Sequence, residues 1–177
     1  MSAHPTIRPA SPADAPEIAR IYIESWHDTY PGIVSKVLLT SMKHGSQTGR
    51  WRAAICQGEM VLVAEIGGRM AGMLSAGPAR DRSLGFDGEV YTLYVDPAHY
   101  GEGAGRSLLA AAFARLAKQG CRSCVIWAHA QNNARFFYER MGGKLVAERT
   151  AQLAGDPVPE IAFGWASLEP VQPSAAR

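Results

Sequence analysis

The chain has 177 residues, 47% of them hydrophobic and 19% charged, with 18 Lys plus Arg against 16 Asp plus Glu and a formal charge of +2. That length fits one domain, and that apolar share supports a core and argues against a disordered chain. A near-neutral balance with no basic block gives nucleic acid no electrostatic footprint, and the longest apolar run, Leu108 to Ala114, is far short of the ~20 residues of a membrane helix.

The start, Met1-Ser2-Ala3-His4-Pro5, lacks the basic-then-apolar order of a signal peptide, so a cytoplasmic protein is expected. Thr6 to Pro9 reads as a short extended segment. Ser11 then caps a helix, with Pro12 at its first position and Asp14 three residues on. Ala15, Ile18, Ala19, Tyr22 and Trp26 form one apolar stripe, and the helix stops near Pro31-Gly32. Ile33 to Met42 and Ser46 to Gln57 read as two further helices. The period then changes. Met60 to Ile66 and Met70 to Ala76 are strands joined by Gly67-Gly68, a hairpin signal. A polar loop, Gly77 to Gly88, leads into a strand from Glu89 to Val95. A glycine-rich turn opens a helix from about Gly103 to Gln119, with Leu108, Leu109, Ala112, Phe113 and Leu116 on one face. Ser123 to Ala128 is a strand and Asn133 to Met141 a short helix. Lys144 to Leu153 and Val158 to Trp165 make a last hairpin. The expected organisation is one α/β (α+β) domain over residues 1–168, with a flexible tail over 169–177.

Cys121 and Cys124 form a lone C-x-x-C. No second pair and no H-x-x-x-H spacing accompany it, so a zinc site lacks ligands and no metal is expected. The plain reading is two thiols at the mouth of a strand, one buried and one not.

The segment from Leu93 to Arg106 is the most informative. A strand runs through Tyr94 and Val95 into a turn, Tyr100-Gly101-Glu102-Gly103-Ala104-Gly105-Arg106-Ser107, that opens a helix. The first amides of a helix have no internal partner, and the helix dipole adds positive potential there. Glycines let a phosphate approach the backbone, and Arg106 adds a cation. The spacing fails the dinucleotide fingerprint G-x-G-x-x-G in both registers, with Arg106 or Leu108 at the sixth place. It also fails the Walker loop, since Arg106 stands where the second glycine belongs.

The segment resembles instead the pyrophosphate loop of the GNAT superfamily, the acetyl-CoA-dependent N-acetyltransferases. Val95, Pro97, Gly101, Gly103 and Gly105 match, and Tyr100 departs from the family's usual Gln or Arg. Asn132-Asn133-Ala134-Arg135-Phe136-Phe137-Tyr138-Glu139-Arg140-Met141-Gly142-Gly143 resembles the family's later motif, an Asn before a helix carrying F-Y-E. The two motifs occur in the family's order, separated by a helix and a strand. The resemblance implies a central, mixed, mostly antiparallel sheet flanked by helices, with acetyl-CoA as co-substrate at a strand–glycine turn–helix site.

It also implies roles. Tyr94, Val95, Tyr100, Gly101, Gly103, Ala104, Gly105, Arg106, Ser107, Asn132 and Ala134 are the expected cofactor contacts. Asn132 reads equally well as a helix cap, and Arg135 and Arg140 meet cofactor phosphate or face solvent. The amide near Val95, where a strand bulge would free it, is the expected oxyanion donor. Glu89 is the expected base: it lies six residues before Val95, which by alternation puts both on one face. Asp87 and His129 are rival bases. Tyr138 is the expected general acid, protonated at pH 7 with an ordinary pKa near ~10, with core packing on the stripe of Ala134 and Met141 the alternative. Trp26, Tyr30, Asp87 and His129 are candidates for binding the amine acceptor, with core packing the alternative for Trp26 and Tyr30. The expected reaction is acetyl transfer from acetyl-CoA to a primary amine, the alternative being an acyl-CoA-binding module without turnover. Ile161, Phe163 and Trp165 alternate on one face, so an exposed strand edge at Val158 to Trp165 suggests a homodimer.

Overall fold

A computed structural model describes residues 4–153 and 155–168. The expected tail over 169–177 lies outside the described residues. Strand β1 (Thr6–Pro9) pairs with β2 (Met60–Ile66) and leads into a single 3-10 turn, Pro12–Asp14, before helix α1 (Ala15–Thr29). The cap works through Asp14, whose carboxylate accepts from the Ser11 N–H at 2.6 Å and the Ser11 hydroxyl at 2.9 Å. Arg8 grips the same carboxylate through both terminal nitrogens and also bonds Glu65, so β1, β2 and the start of α1 are tied together. The stripe of α1 buries Ala15, Ile18, Ala19 and Tyr22 as the spacing predicts.

Helix α2 (Lys36–Ser41) is shorter than its sequence pattern. Ser35 caps it by accepting from the Leu38 N–H, while the amides of Ile33 and Val34 turn back onto the Tyr30 carbonyl. Helix α3 (His44–Cys56) follows and buries Trp51 and Ala54. Strand β2 and its hairpin partner β3 (Arg69–Pro78) are joined at Gly67 and Gly68, both at positive φ, as a two-residue hairpin turn requires.

Strand β4 (Gly88–Val95), helix α4 (Ala104–Lys118) and strand β5 (Cys124–His129) form a parallel crossover. Helix α5 (Ala134–Arg140) and strands β6 (Lys144–Leu153) and β7 (Asp156–Trp165) complete the chain. The sheet order is β1-β2-β3-β4-β5-β7-β6, antiparallel except for β4–β5. The mixed sheet expected from the sequence is present.

Helices cover both faces. On one, α4 places Leu108, Leu109, Phe113 and Leu116 against Leu74, Val90, Ile126 and Phe163. On the other, α1 and α3 set Ile18, Tyr22 and Trp51 over Val61, Val63 and Met73. Burial of this apolar surface is the main favourable term in folding. No helix among the described residues is long and apolar enough to cross a membrane.

The strand expected to offer a free edge does not do so. β7 lies between β5 and β6, paired on both sides, and Ile161, Phe163 and Trp165 are buried. Their alternation marks an interior strand packed on α4, so the argument for a dimer through that edge falls. Cys124 is buried and Cys121 half-buried, both as free thiols, and burial pushes Cys124 up to about 12.

Candidate active site

Strands β4 and β5 pair only at Gly88–Cys124, Glu89–Val125 and Val90–Ile126. Beyond Val90 they part. β4 stays with β3 as far as Val95, and β5 stays with β7 as far as His129. The result is a fork whose inner edges carry backbone groups with no strand between them. The Asp96 N–H donates to the Ala71 carbonyl on β3 at 2.9 Å. Alternation of antiparallel hydrogen bonding then turns the Val95 and Leu93 amides the other way, into the fork. The Ser25 hydroxyl, from α1, already donates to the Val95 carbonyl at 3.1 Å.

The cleft at the fork has a volume of about 610 Å³, within the range of small-molecule sites. One end is closed by the turn after β4. Gly101 and Gly103 sit at φ 82° and 86°, a region that favours glycine, and Gly103 is the residue before α4. The Ser107 N–H bonds the Gly103 carbonyl at 3.0 Å, so the orphan amides of α4 are those of Ala104, Gly105 and Arg106. At Gly105 a Cβ would lie 3.4 Å from Phe137 and 3.5 Å from Val95, so that glycine lets α5, β4 and α4 meet closely.

The far end is aromatic. Tyr30 lines the cleft, stacks on Trp26 with centroids 4.6 Å apart, and accepts a hydrogen bond from Asn132 Nδ2 at 3.3 Å. Burial raises its pKa. The Trp26 indole donates to the Tyr94 hydroxyl at 3.0 Å, and burial holds that phenol well above its ordinary value. Tyr138, on α5, lines the cleft with its ring against Phe137, Phe163 and Trp165. Its hydroxyl makes no hydrogen bond among the described residues, and burial raises its pKa.

Tyr94, Val95, Tyr100, Gly101, Gly103, Ala104, Gly105, Arg106, Asn132, Ala134, Tyr30 and Tyr138 all lie along this one cleft. Tyr100 is 53% exposed and donates to Asp28 at 3.1 Å; burial and that carboxylate push it up to about 12. Asn132 lies two residues before α5, its Oδ1 accepting from the Ala134 N–H at 2.8 Å.

Other expected residues are placed elsewhere. Ser107 does not line the cleft, and its amide is used within α4. Trp26 supports the aromatic wall from behind. His129 is buried beside Tyr30, its Nδ1 accepting from the Gln131 N–H at 3.1 Å, and burial lowers its pKa. Asp87 sits before the other end of β4, accepting from the Arg122 N–H at 2.9 Å, which holds its carboxyl below the usual range. It is remote from the fork.

Glu89 requires the largest correction. It is 3% exposed and does not line the cleft. Arg80 holds both oxygens, with its backbone N–H on Oε2 at 2.9 Å and its guanidinium on Oε1 through Nε and Nη2. The even spacing to Val95 misleads because the pairing with β3 skips Tyr91: Ala76 faces Val90 and Ser75 faces Thr92. That extra residue inverts the alternation. Val90, Leu93 and Val95 share the α4 face, and Tyr94 faces α1. The irregularity thus lies at Tyr91 rather than Val95, and it is the parting of the strands that frees the Val95 amide.

Sequence reasoning missed Tyr91, Trp127 and Ser25 as cleft residues and left Arg140 open between phosphate and solvent; all four line the cleft. Tyr91 and Trp127 are the first residues past the last β4–β5 pair, a property that only the register reveals. Arg135 instead stacks on Phe136 at 5.3 Å.

A parallel crossover whose strands part over a helix N-terminus, with bare amides along the fork, is the architecture of an acyl-coenzyme-binding transferase fold. Residues 17–143 match the model of the acetyltransferase (GNAT) family. An uncharacterised N-acetyltransferase of Bacillus subtilis (strain 168), YuaI, is 32% identical over 163 residues, covering 92% of this chain and 94% of that protein. Among solved structures, a GCN5-related N-acetyltransferase from Rhodopseudomonas palustris superposes with a TM-score of 0.74 at 21% identity, covering 93% and 96% of the two chains. YncA from Salmonella typhimurium, a putative acetyltransferase solved with acetyl-CoA, gives 0.69 at 23% identity, covering 99% of each chain. The chain belongs to the GNAT family of acetyltransferases and is an acetyl-CoA-dependent enzyme.

Proposed function

We propose that the enzyme moves an acetyl group from acetyl-CoA, bound in this cleft, directly to a primary amine. The observation that carries this reading is the fork: a helix N-terminus with bare amides at one end, and unpaired strand edges running from it to Tyr91 and Trp127. The diphosphate accepts from the Ala104, Gly105 and Arg106 amides, with Arg106 and Arg140 adding charge. The pantetheine arm lies between β4 and β5 like an added strand, bonded to Leu93 and Val95. That threading brings the thioester toward the crotch of the fork. YncA, solved with acetyl-CoA, and a Thermoplasma acidophilum PaiA N-acetyltransferase, solved with coenzyme A, have this fold, which supports the choice of coenzyme.

The neutral amine attacks the thioester carbonyl, and the oxygen of the tetrahedral intermediate is stabilised by a backbone amide of β4. The C–S bond breaks, Tyr138 donates its phenolic proton to the departing thiolate, and the phenol is reprotonated from water. The amine's surplus proton leaves to water. Glu89 is not the base, because Arg80 occupies both of its oxygens. It anchors the loop after β3 instead.

The direct test is thiol release from acetyl-CoA with a panel of amines, with the acetylated product counted by mass spectrometry. Product equal to thiol, and dependent on amine, is expected. Thiol release indifferent to amine would overturn the proposal.

A further inference from the structure

A second hollow of about 720 Å³ lies on the α3 side of the sheet. Its walls include Arg50 and Trp51 of α3, Gly77 of β3, Arg80, and Tyr91 and Thr92 of β4. It is separate from the cleft, yet Tyr91 and Thr92 line both. Those two residues follow Val90, where β4 and β5 part. The hollow therefore opens beside the point that the acyl end of a thioester threaded down the fork would reach. Gly77 allows this shape: a Cβ there would lie 2.6 Å from the Tyr91 hydroxyl.

The hollow has a surplus of hydrogen-bond donors. The Arg50 guanidinium lies 5.1 Å from the Trp51 ring centre and 5.7 Å from that of Tyr22, and its one hydrogen bond among the described residues, to Gln47, is 3.4 Å long. It pairs with no carboxylate among the described residues. Arg80 lies 4.6 Å over Tyr91 and uses Nε and Nη2 on Glu89, leaving Nη1 without a partner there. Guanidiniums held beside aromatic rings suit a planar, bidentate anion. Glu59 is the acid on the same wall.

We infer that this hollow seats the acceptor, and that the acceptor is a small amine that also carries a carboxylate. The carboxylate lies between Arg50 and Arg80, and the amine is directed past Thr92 to the thioester. The inference rests on the acetyl-transfer reading above and narrows it to a substrate class.

The test uses the whole chain with acetyl-CoA and α-amino acids, each paired with its own carboxamide, which keeps the amine and removes the negative charge. At least tenfold higher kcat/KM for acids than for their amides is expected, carried by KM. Arg50→Ala should raise KM for the acids tenfold or more, with kcat, the KM for acetyl-CoA and the rates with amides within about twofold. Arg50→Lys should restore part of the loss. Amides used as well as acids, acids not used at all, or acid KM unmoved in Arg50→Ala would each overturn the inference. Acetyl-CoA affinity, measured in the same samples by calorimetry, separates the two levels. If acetyl-CoA binds and acids are ignored, only the acceptor assignment fails; if acetyl-CoA does not bind, the transfer reading fails with it.

Discussion

The phenol of Tyr138 is held by ring contacts alone, with no hydrogen bond on its oxygen among the described residues. Removing that oxygen should therefore cost chemistry and little else. Tyr138→Phe is expected to lower kcat by about 10²-fold, the lower range for a lost general acid. Melting temperature and acetyl-CoA affinity should hold. An unchanged kcat would show that the thiolate leaves unaided. Burial raises this pKa, so the donor stays protonated past its ordinary value near ~10. Activity should thus rise with pH as the amine loses its proton, with no loss from the acid until the phenol ionises at still higher pH. Glu89→Gln offers the converse. Three hydrogen bonds to Arg80 are weakened, so the melting temperature should fall by several degrees while kcat at saturating amine stays within about threefold; hydrogen bonds to charged groups contribute ~1.5–3 kcal/mol each at most, and the exposure of Arg80 reduces that. A kcat loss of about a hundredfold or more in a stable variant would return Glu89 to the role of base. The sequence alone could not show this lock, because Arg80 and Glu89 meet through a loop whose path no local pattern records.

At the scale of elements, the sequence showed most of what local rules control. The hairpin at Gly67-Gly68, the stripe of α1 and the crossover helix after Gly103 all follow from turn chemistry and periodicity. What it hid was register. One skipped residue, Tyr91, put Glu89 and Val95 on opposite faces, and the number of β4–β5 pairs decided where the fork begins. Both depend on contacts between strands far apart in sequence, as does the interior place of β7. The start of α1 yields its own prediction. Arg8 and the Ser11 groups favour the charged form of Asp14 and hold its pKa well below the usual carboxylate range. A depressed folded pKa gives stability that is present above about the ordinary carboxylate value and lost as pH falls through the folded one. Asp14→Asn should destabilise the fold by about 1 kcal/mol, a figure reduced for the partial exposure of Arg8, and the wild-type advantage should shrink below pH 4. Denaturant melts of both proteins at pH 7 and pH 3 check this; an equal difference at both would contradict it.

At the scale of the molecule, the cleft is built from parts distant in the chain: the end of α1, the fork of β4 and β5, the glycine turn and α5. A ligand that touches all of them should stabilise the whole fold, and acetyl-CoA at a hundred times its dissociation constant is expected to add about 2.7 kcal/mol. The central claim is that the diphosphate of acetyl-CoA sits on the bare amides at the start of α4. Gly103→Glu places a carboxylate there, at a residue of positive φ where a side chain is strained but a Cβ would come no nearer than 4.0 Å to its neighbour Pro5. Calorimetric titration of acetyl-CoA into this variant and the wild type, with circular dichroism to confirm folding, tests the claim most directly. A folded variant that binds acetyl-CoA at least a hundredfold more weakly is the predicted result, and a folded variant with wild-type affinity would contradict it.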